Sequence, residues 1–151
     1  MATPVADRAV LDTNVLLAAT DEARQEHEQA VAAINVWPAS GLVLYTSGQI
    51  LREYLAVATR PVGQNGLGMG RLDAVANVRA LRVRLNLLAE DTKVSDRLLE
   101  LLETVECGGK QVHDANVVAT MLVHGIDTVV TMNADDFGRF GDHVLVVGLR
   151  P

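Results

Sequence analysis

Cysteine, aromatic residues and lysine are scarce in this chain, and each scarcity removes a class of protein. With Cys107 the single cysteine among 151 residues, no disulfide can form within the chain, and the fold must be held by its core. Trp37, Tyr45, Tyr54, Phe137 and Phe140 are all the aromatics, too few for a platform on which successive nucleobases stack. Lys93 and Lys110 are the only lysines, and 13 Lys+Arg stand against 19 Asp+Glu for a formal net charge of −6. Such a balance opposes gripping nucleic acid through a broad basic face. No apolar run approaches the roughly 18–20 residues of a membrane span, and no charged-then-apolar leader opens the chain. These absences are the expectation for a soluble cytoplasmic protein.

What the chain does have is core material, at 49% hydrophobic residues. A chain of this length buries roughly 68–70% of its unfolded surface, so residues 1–151 are read as a single domain. Short β-branched runs alternate with stretches of helical period, the pattern of an α/β layer architecture on a largely parallel sheet. Strands are expected at residues 9–11, 42–45, 128–131 and 144–147, with a weaker one at 86–88. Helices are expected at 14–19, 22–36, 48–59, 71–85, 93–106 and 113–124. Thr46, Ser47, Gly48 and Gln49 read as a capping box opening the third helix. Residues 61–70 hold four of the twelve glycines and are expected to be the most flexible segment. Arg71, Arg79, Arg82 and Arg84 gather on the fourth helix, either as a local guide for a polyanion or as a solvated face.

Four places in this scaffold carry chemistry. Asp12 directly follows the first strand, and parallel sheets bind ligands outside the carboxyl ends of their strands; on the plainer reading Asp12, Thr13 or Asn14 simply caps the next helix. Glu53 projects just beyond the apolar arc of the third helix, placed to lean over a pocket rim or to face solvent. Asp114 projects between Val118 and Met121, inside the arc that faces the core, where an unpaired carboxylate is costly. It either caps the helix start or has a partner of opposite charge. Thr131, Asn133, Asp135 and Asp136 follow another β-branched run and again stand at a strand's carboxyl end. Several carboxylates brought to one point repel. A hard cation resolves that repulsion, and an all-oxygen set suits Mg²⁺ or Mn²⁺ better than Zn²⁺. Histidine and cysteine show no zinc spacing, and no phosphate-binding loop, dinucleotide fingerprint or serine elbow is present.

The segments Val10-Leu11-Asp12-Thr13-Asn14-Val15-Leu16, Gln49-x-x-x-Glu53, His113-Asp114-Ala115 and Thr131-x-Asn133-x-x-Asp136-Phe137 together resemble the PIN domain family, and within it the VapC toxins of bacterial type II toxin–antitoxin pairs. The resemblance runs nearly end to end. It implies a three-layer α/β/α fold with a short, mostly parallel central sheet, and a Mg²⁺-dependent endoribonuclease. The implied acidic cluster is Asp12, Glu53, Asp114 and a carboxylate near Asp136, with Asp12 and Asp114 as direct metal ligands and Thr13 and Thr131 as nearby hydroxyls. Many relatives carry Asp where this chain has Asn133, so Asn133, Asp135 and Asp136 remain alternatives for the fourth position. A homodimer and a cognate antitoxin are further implications. Two other classes also gather such residues: a receiver-type signalling module, and a noncatalytic PIN fold kept for binding.

Overall fold

The computed structural model describes residues 7–149. Its strands are β1 (Arg8–Leu11), β2 (Val43–Ser47), β3 (Asn86–Leu88), β4 (Thr128–Val130) and β5 (Leu145–Val147). Its helices are α1 (Thr13–Thr20), α2 (His27–Asn35), α3 (Gly48–Thr59), α4 (Arg71–Arg84), α5 (Thr92–Thr104), α6 (Gln111–Val123) and the short α7 (Ala134–Phe137). The five strands form one sheet in the order β3-β2-β1-β4-β5, and every pair is parallel. Parallel strands are covered on both faces, which is why β1 reads as a continuous apolar run; Ala9, Val10 and Leu11 are all buried.

The chain winds outward from β1 to β2 and β3, then returns across the sheet to β4 and β5 on the other side. Right-handed crossovers put α1–α4 on one face and α5–α7 on the other, giving the three layers expected. Helix contacts follow that division, with α1 on α2 and α3, α3 on α4, and α5 on α6. Strand order therefore reverses between β1 and β4, and a crevice opens beyond their carboxyl ends. Tyr54 secures the first face. Fully buried on α3, its hydroxyl pairs with the Thr20 hydroxyl of α1 at 2.8 Å and accepts from Asn77 Nδ2 of α4 at 3.4 Å. Among the described residues no helix is long and apolar enough to cross a membrane.

Three local expectations are corrected. The helix expected from residue 22 begins at His27, because the Asp21 side chain accepts from the Ala23 N–H and pairs with Arg24, holding residues 21–26 in turns. The third helix is capped one residue later than the sequence suggests. Ser47 accepts from the Ile50 N–H at 3.3 Å, while the Thr46 hydroxyl points into the interior without a partner among the described residues. Gln49 is thereby free to make a long-range contact.

The glycine-rich segment is the third correction, for it folds as a clasp on the end of α3. Leu67, Gly68 and Met69 donate their N–H groups to the carbonyls of Val57, Arg60 and Ala58 at 3.1, 2.8 and 2.9 Å. Glycine here provides close approach: a Cβ on Gly66 would overlap the Arg60 backbone. Gly66→Ala should cost about 1–3 kcal/mol, the range for overpacking a tight site. Urea unfolding measures this, and an unchanged midpoint would mean that the clasp does not require the close approach.

Candidate active site

The crevice beyond β1 and β4 is built around one carboxylate held by both oxygens. Asp12 extends β1 by a residue, donating its N–H to Val130 O at 2.9 Å, and then turns the chain into α1 as its N-cap. Asp12 Oδ1 accepts from the Thr13 N–H and Oδ2 from the Thr131 hydroxyl, each at 2.8 Å. Thr131, buried just after β4, also accepts from Asn14 Nδ2 at 3.1 Å and from the Asn133 N–H at 3.0 Å. Asn14 Oδ1 in turn accepts from the Met132 N–H at 3.2 Å. A hydroxyl has one proton and two lone pairs, and Thr131 uses all three. The Thr131 hydroxyl, expected as one near the acids, is therefore committed to orienting Asp12.

Glu53 reaches the same place from α3, its Oε1 accepting the Thr13 hydroxyl at 3.2 Å. Asp114 reaches it from the first turn of α6, and Asn133 from the loop after β4. Asp12, Thr13, Asn14, Glu53, Asp114 and Asn133 all line one open cleft of about 370 Å³, walled on its apolar side by Leu17 and Val57 and with Arg60 also in its lining. Asp136 is exposed on α7 and outside this lining, but its charge acts on both Asp12 and Asp114. The three alternatives for the fourth position thus divide: Asn133 faces the cleft, Asp136 contributes charge, and Asp135 is exposed and is not a principal influence on either carboxyl. Another hollow of about 320 Å³, lined by Ile34, Asn77, Leu81 and Arg84 among others, brings together no carboxylates.

Electrostatics mark the cleft as a place of crowded negative charge. Burial pushes the Asp12 carboxyl above its ordinary value, and the charges of Glu53 and Asp136 push the same way, against the hydrogen bonds from Thr131 and Thr13. Asp114 is pushed up to about 6, by burial first and then by the charges of Asp12, Asp136 and Glu53, with Arg139 opposing. Among the described residues, no three His, Cys, Asp or Glu side chains converge closely enough to hold an ion by themselves. Mg²⁺ does not require such a cage, since it keeps several waters and takes one or two carboxylates together with substrate phosphate. The all-oxygen donor set and the mutual repulsion of its acids fit a hard divalent cation.

A second polar cluster, not singled out in the sequence, ties the helices that carry these acids. Gln49, one turn before Glu53 on α3, donates through Nε2 to the His113 carbonyl at 2.8 Å and accepts at Oε1 from Asn116 Nδ2 at 2.6 Å. Asn116 also donates to Glu90 Oε1 at 2.9 Å, while Glu90 Oε2 accepts the Gln49 N–H at 2.7 Å. The clamp thus joins the start of α3 to the start of α6. Its members lie 26 to 67 residues apart; only the heptapeptide-scale proximity of Gln49 to Glu53 and of Asn116 to Asp114 hinted at it. Asn14 was visible as a cap but not as the strut between two strand ends.

The family model for the PIN domain matches residues 9–142, and the chain belongs to the PIN domain family. Its fold is similar to that of VapBC2 from Rickettsia felis, solved bound to a promoter DNA fragment, at a TM-score of 0.65 and 13% identity over 95% of this chain and 99% of that one. It is also similar to VapBC-1 from nontypeable Haemophilus influenzae, at 0.65 and 16% over 94% and 98%. A third similar structure is VapC20 from Mycobacterium tuberculosis, a Sarcin-Ricin loop cleaving toxin, at 0.60 and 20% over 91% and 96%. No curated protein matches this sequence significantly. Family membership sets aside the receiver-type alternative.

Proposed function

We propose that this protein is a VapC-type toxin, a Mg²⁺-dependent endoribonuclease that hydrolyses RNA phosphodiester bonds in the cytoplasm and is held in check by a cognate antitoxin. The observation that carries the reading is the convergence of Asp12, Glu53 and Asp114, from three separate elements, on one cleft with Asp136 acting from α7. Asp12 and Asp114 are the residues that would hold the ion. Mg²⁺ bound there would lower the pKa of a water and offset charge developing on the phosphate oxygens. Thr131 and the Thr13 N–H orient Asp12. Glu53 has one oxygen engaged by Thr13 and retains acceptor capacity for a proton released by an attacking water. Asn133, at the cleft lining, offers a neutral amide to the substrate where a carboxylate would repel it.

Further support comes from the similar folds, which belong to VapBC assemblies and to a toxin that cleaves the Sarcin-Ricin loop. By the same reading the protein works as a homodimer, with an antitoxin segment lying across the acidic cleft and supplying positive charge to it. Purified protein should fragment structured RNA in Mg²⁺ buffer, fall to background in EDTA, and recover when Mg²⁺ is restored. Gel analysis of the RNA measures this. Equal fragmentation in EDTA would overturn metal dependence, and intact RNA in Mg²⁺ would overturn the nuclease.

A further inference from the structure

Among the described residues lining the acidic cleft, Arg60 is the only cation. It takes part in no ion pair among the described residues, where the two bridges are Arg24 with Asp21 and Arg97 with Glu100. Arg139 already opposes the shift of Asp114; Arg60 is not a principal influence on either Asp12 or Asp114. Its side chain is exposed, and among the described residues no hydrogen bond depends on its guanidinium.

The backbone beneath that side chain is, by contrast, held from several directions. Arg60 is the C-cap of α3, its N–H donating to Val57 O at 3.3 Å. Its carbonyl accepts from the Gly68 N–H at 2.8 Å, Gly66 packs so closely against it that no side chain fits, and Pro61 fixes the next residue's φ. The clasp of residues 61–69 thus positions one residue at the cleft mouth while leaving its charged end in solution. Such preorganisation reduces the ordering cost of contacting a ligand. A polyanion entering a cleft floored by carboxylates needs a cation to meet it, and a guanidinium suits a phosphate through paired N–H donors.

We propose that Arg60 is a substrate-binding residue that grips a backbone phosphate of the RNA strand beside the bond to be cut, and that the glycine clasp exists to place it. This assignment rests on reading the cleft as a ribonuclease site. It gives the clasp a function: a positioned cation for a chain whose overall charge repels RNA.

The test is RNA binding in the cleavage-silenced Asp114→Asn background, by fluorescence anisotropy of a labelled single-stranded RNA across about 50–200 mM KCl. Arg60→Ala should weaken binding by about 10-fold or more, as expected for a lost charge-assisted contact. It should also flatten the slope of log K against log salt by about 0.7, the value for one phosphate contact on a single strand. Arg60→Lys should keep the slope and recover part of the affinity. Arg60→Ala in the otherwise native protein should leave the melting temperature and the Mn²⁺ affinity, read by calorimetric titration, unchanged. An unchanged slope and affinity overturn the assignment. So does weakened Mn²⁺ binding accompanying the loss, because Arg60 would then act by balancing the acids. A parent that binds no RNA overturns it as well. If the native protein binds RNA with the Arg60-dependent slope yet never cleaves it in Mg²⁺, the nuclease reading fails and the phosphate contact stands.

Discussion

Replacing Asp114 by Asn should abolish RNA cleavage and, at the same time, make the metal-free protein more stable. The two effects have one cause. Asp114 is pushed up to about 6 from an ordinary value of 3.8 by burial and by the charges of Asp12, Asp136 and Glu53. Between those two pH values the folded state binds more protons than the unfolded chain, so stability falls as pH rises through this window and the deficit is complete above about 6. Asn keeps the shape and removes the charge. Because Asp114 is half-exposed, water screens much of the repulsion; a gain of about 1 kcal/mol near pH 7.5 is expected, or about 2–4 °C in melting temperature. Cleavage should fall by at least about 100-fold, the scale for removing one electrostatic contributor from an active site. Undiminished cleavage in Mg²⁺ would sink the role given to Asp114, and a lower melting temperature would sink the repulsion argument. The same shift predicts the pH profile. Metal ligands must be deprotonated to bind, so at Mg²⁺ concentrations too low to saturate the site the cleavage rate of the native protein should climb through about pH 6 and flatten above it.

Thr131→Val should combine the largest loss of stability from a single near-isosteric change in the site with a large loss of activity. The hydroxyl makes three bonds, to Asp12 Oδ2, Asn14 Nδ2 and the Asn133 N–H, and its side chain is buried. Valine fills the volume but leaves three polar groups without their partner. Each neutral bond is worth about 1 kcal/mol and a charged or orphaned one more, so a loss of about 2–4 kcal/mol is expected from urea unfolding. Activity should fall about 10- to 100-fold, as when a group that orients a metal ligand is removed, and Thr131→Ser should restore both. Stability and rate both equal to the native protein's would show that Asp12 does not depend on this hydroxyl.

The acids differed in how plainly the sequence marked them. Asp12 was legible because a carboxylate directly after a buried strand has few ways to be satisfied, and Asp114 because it interrupts an apolar helical arc. Glu53 was legible only as a rim position, since helical projection gives an angle and not the neighbour that the angle meets. Asn133 and Asp136 could not be separated at all: both follow β4 within six residues, and their division into a cleft-facing amide and a more distant charge depends on how α7 turns. Residues 61–70 were misread for a related reason. Glycine signals backbone freedom in isolation, but at Gly66 it serves contact with Arg60, a constraint set by the end of another element.

By itself the sequence determined the α/β class, the five strands and the family resemblance, and it singled out Asp12, Glu53 and Asp114, which line one cleft, because period, β-branching and short motifs are local properties of the chain. Only the tertiary structure decided that Thr131 has no spare hydroxyl capacity, that Gln49, Asn116 and Glu90 join α3 to α6, and that Arg60 is the cation at the cleft. Those facts are distances between residues 2 to 119 positions apart, set when strand order reverses at β1 and β4 and brings separate ends of the chain to one edge of the sheet.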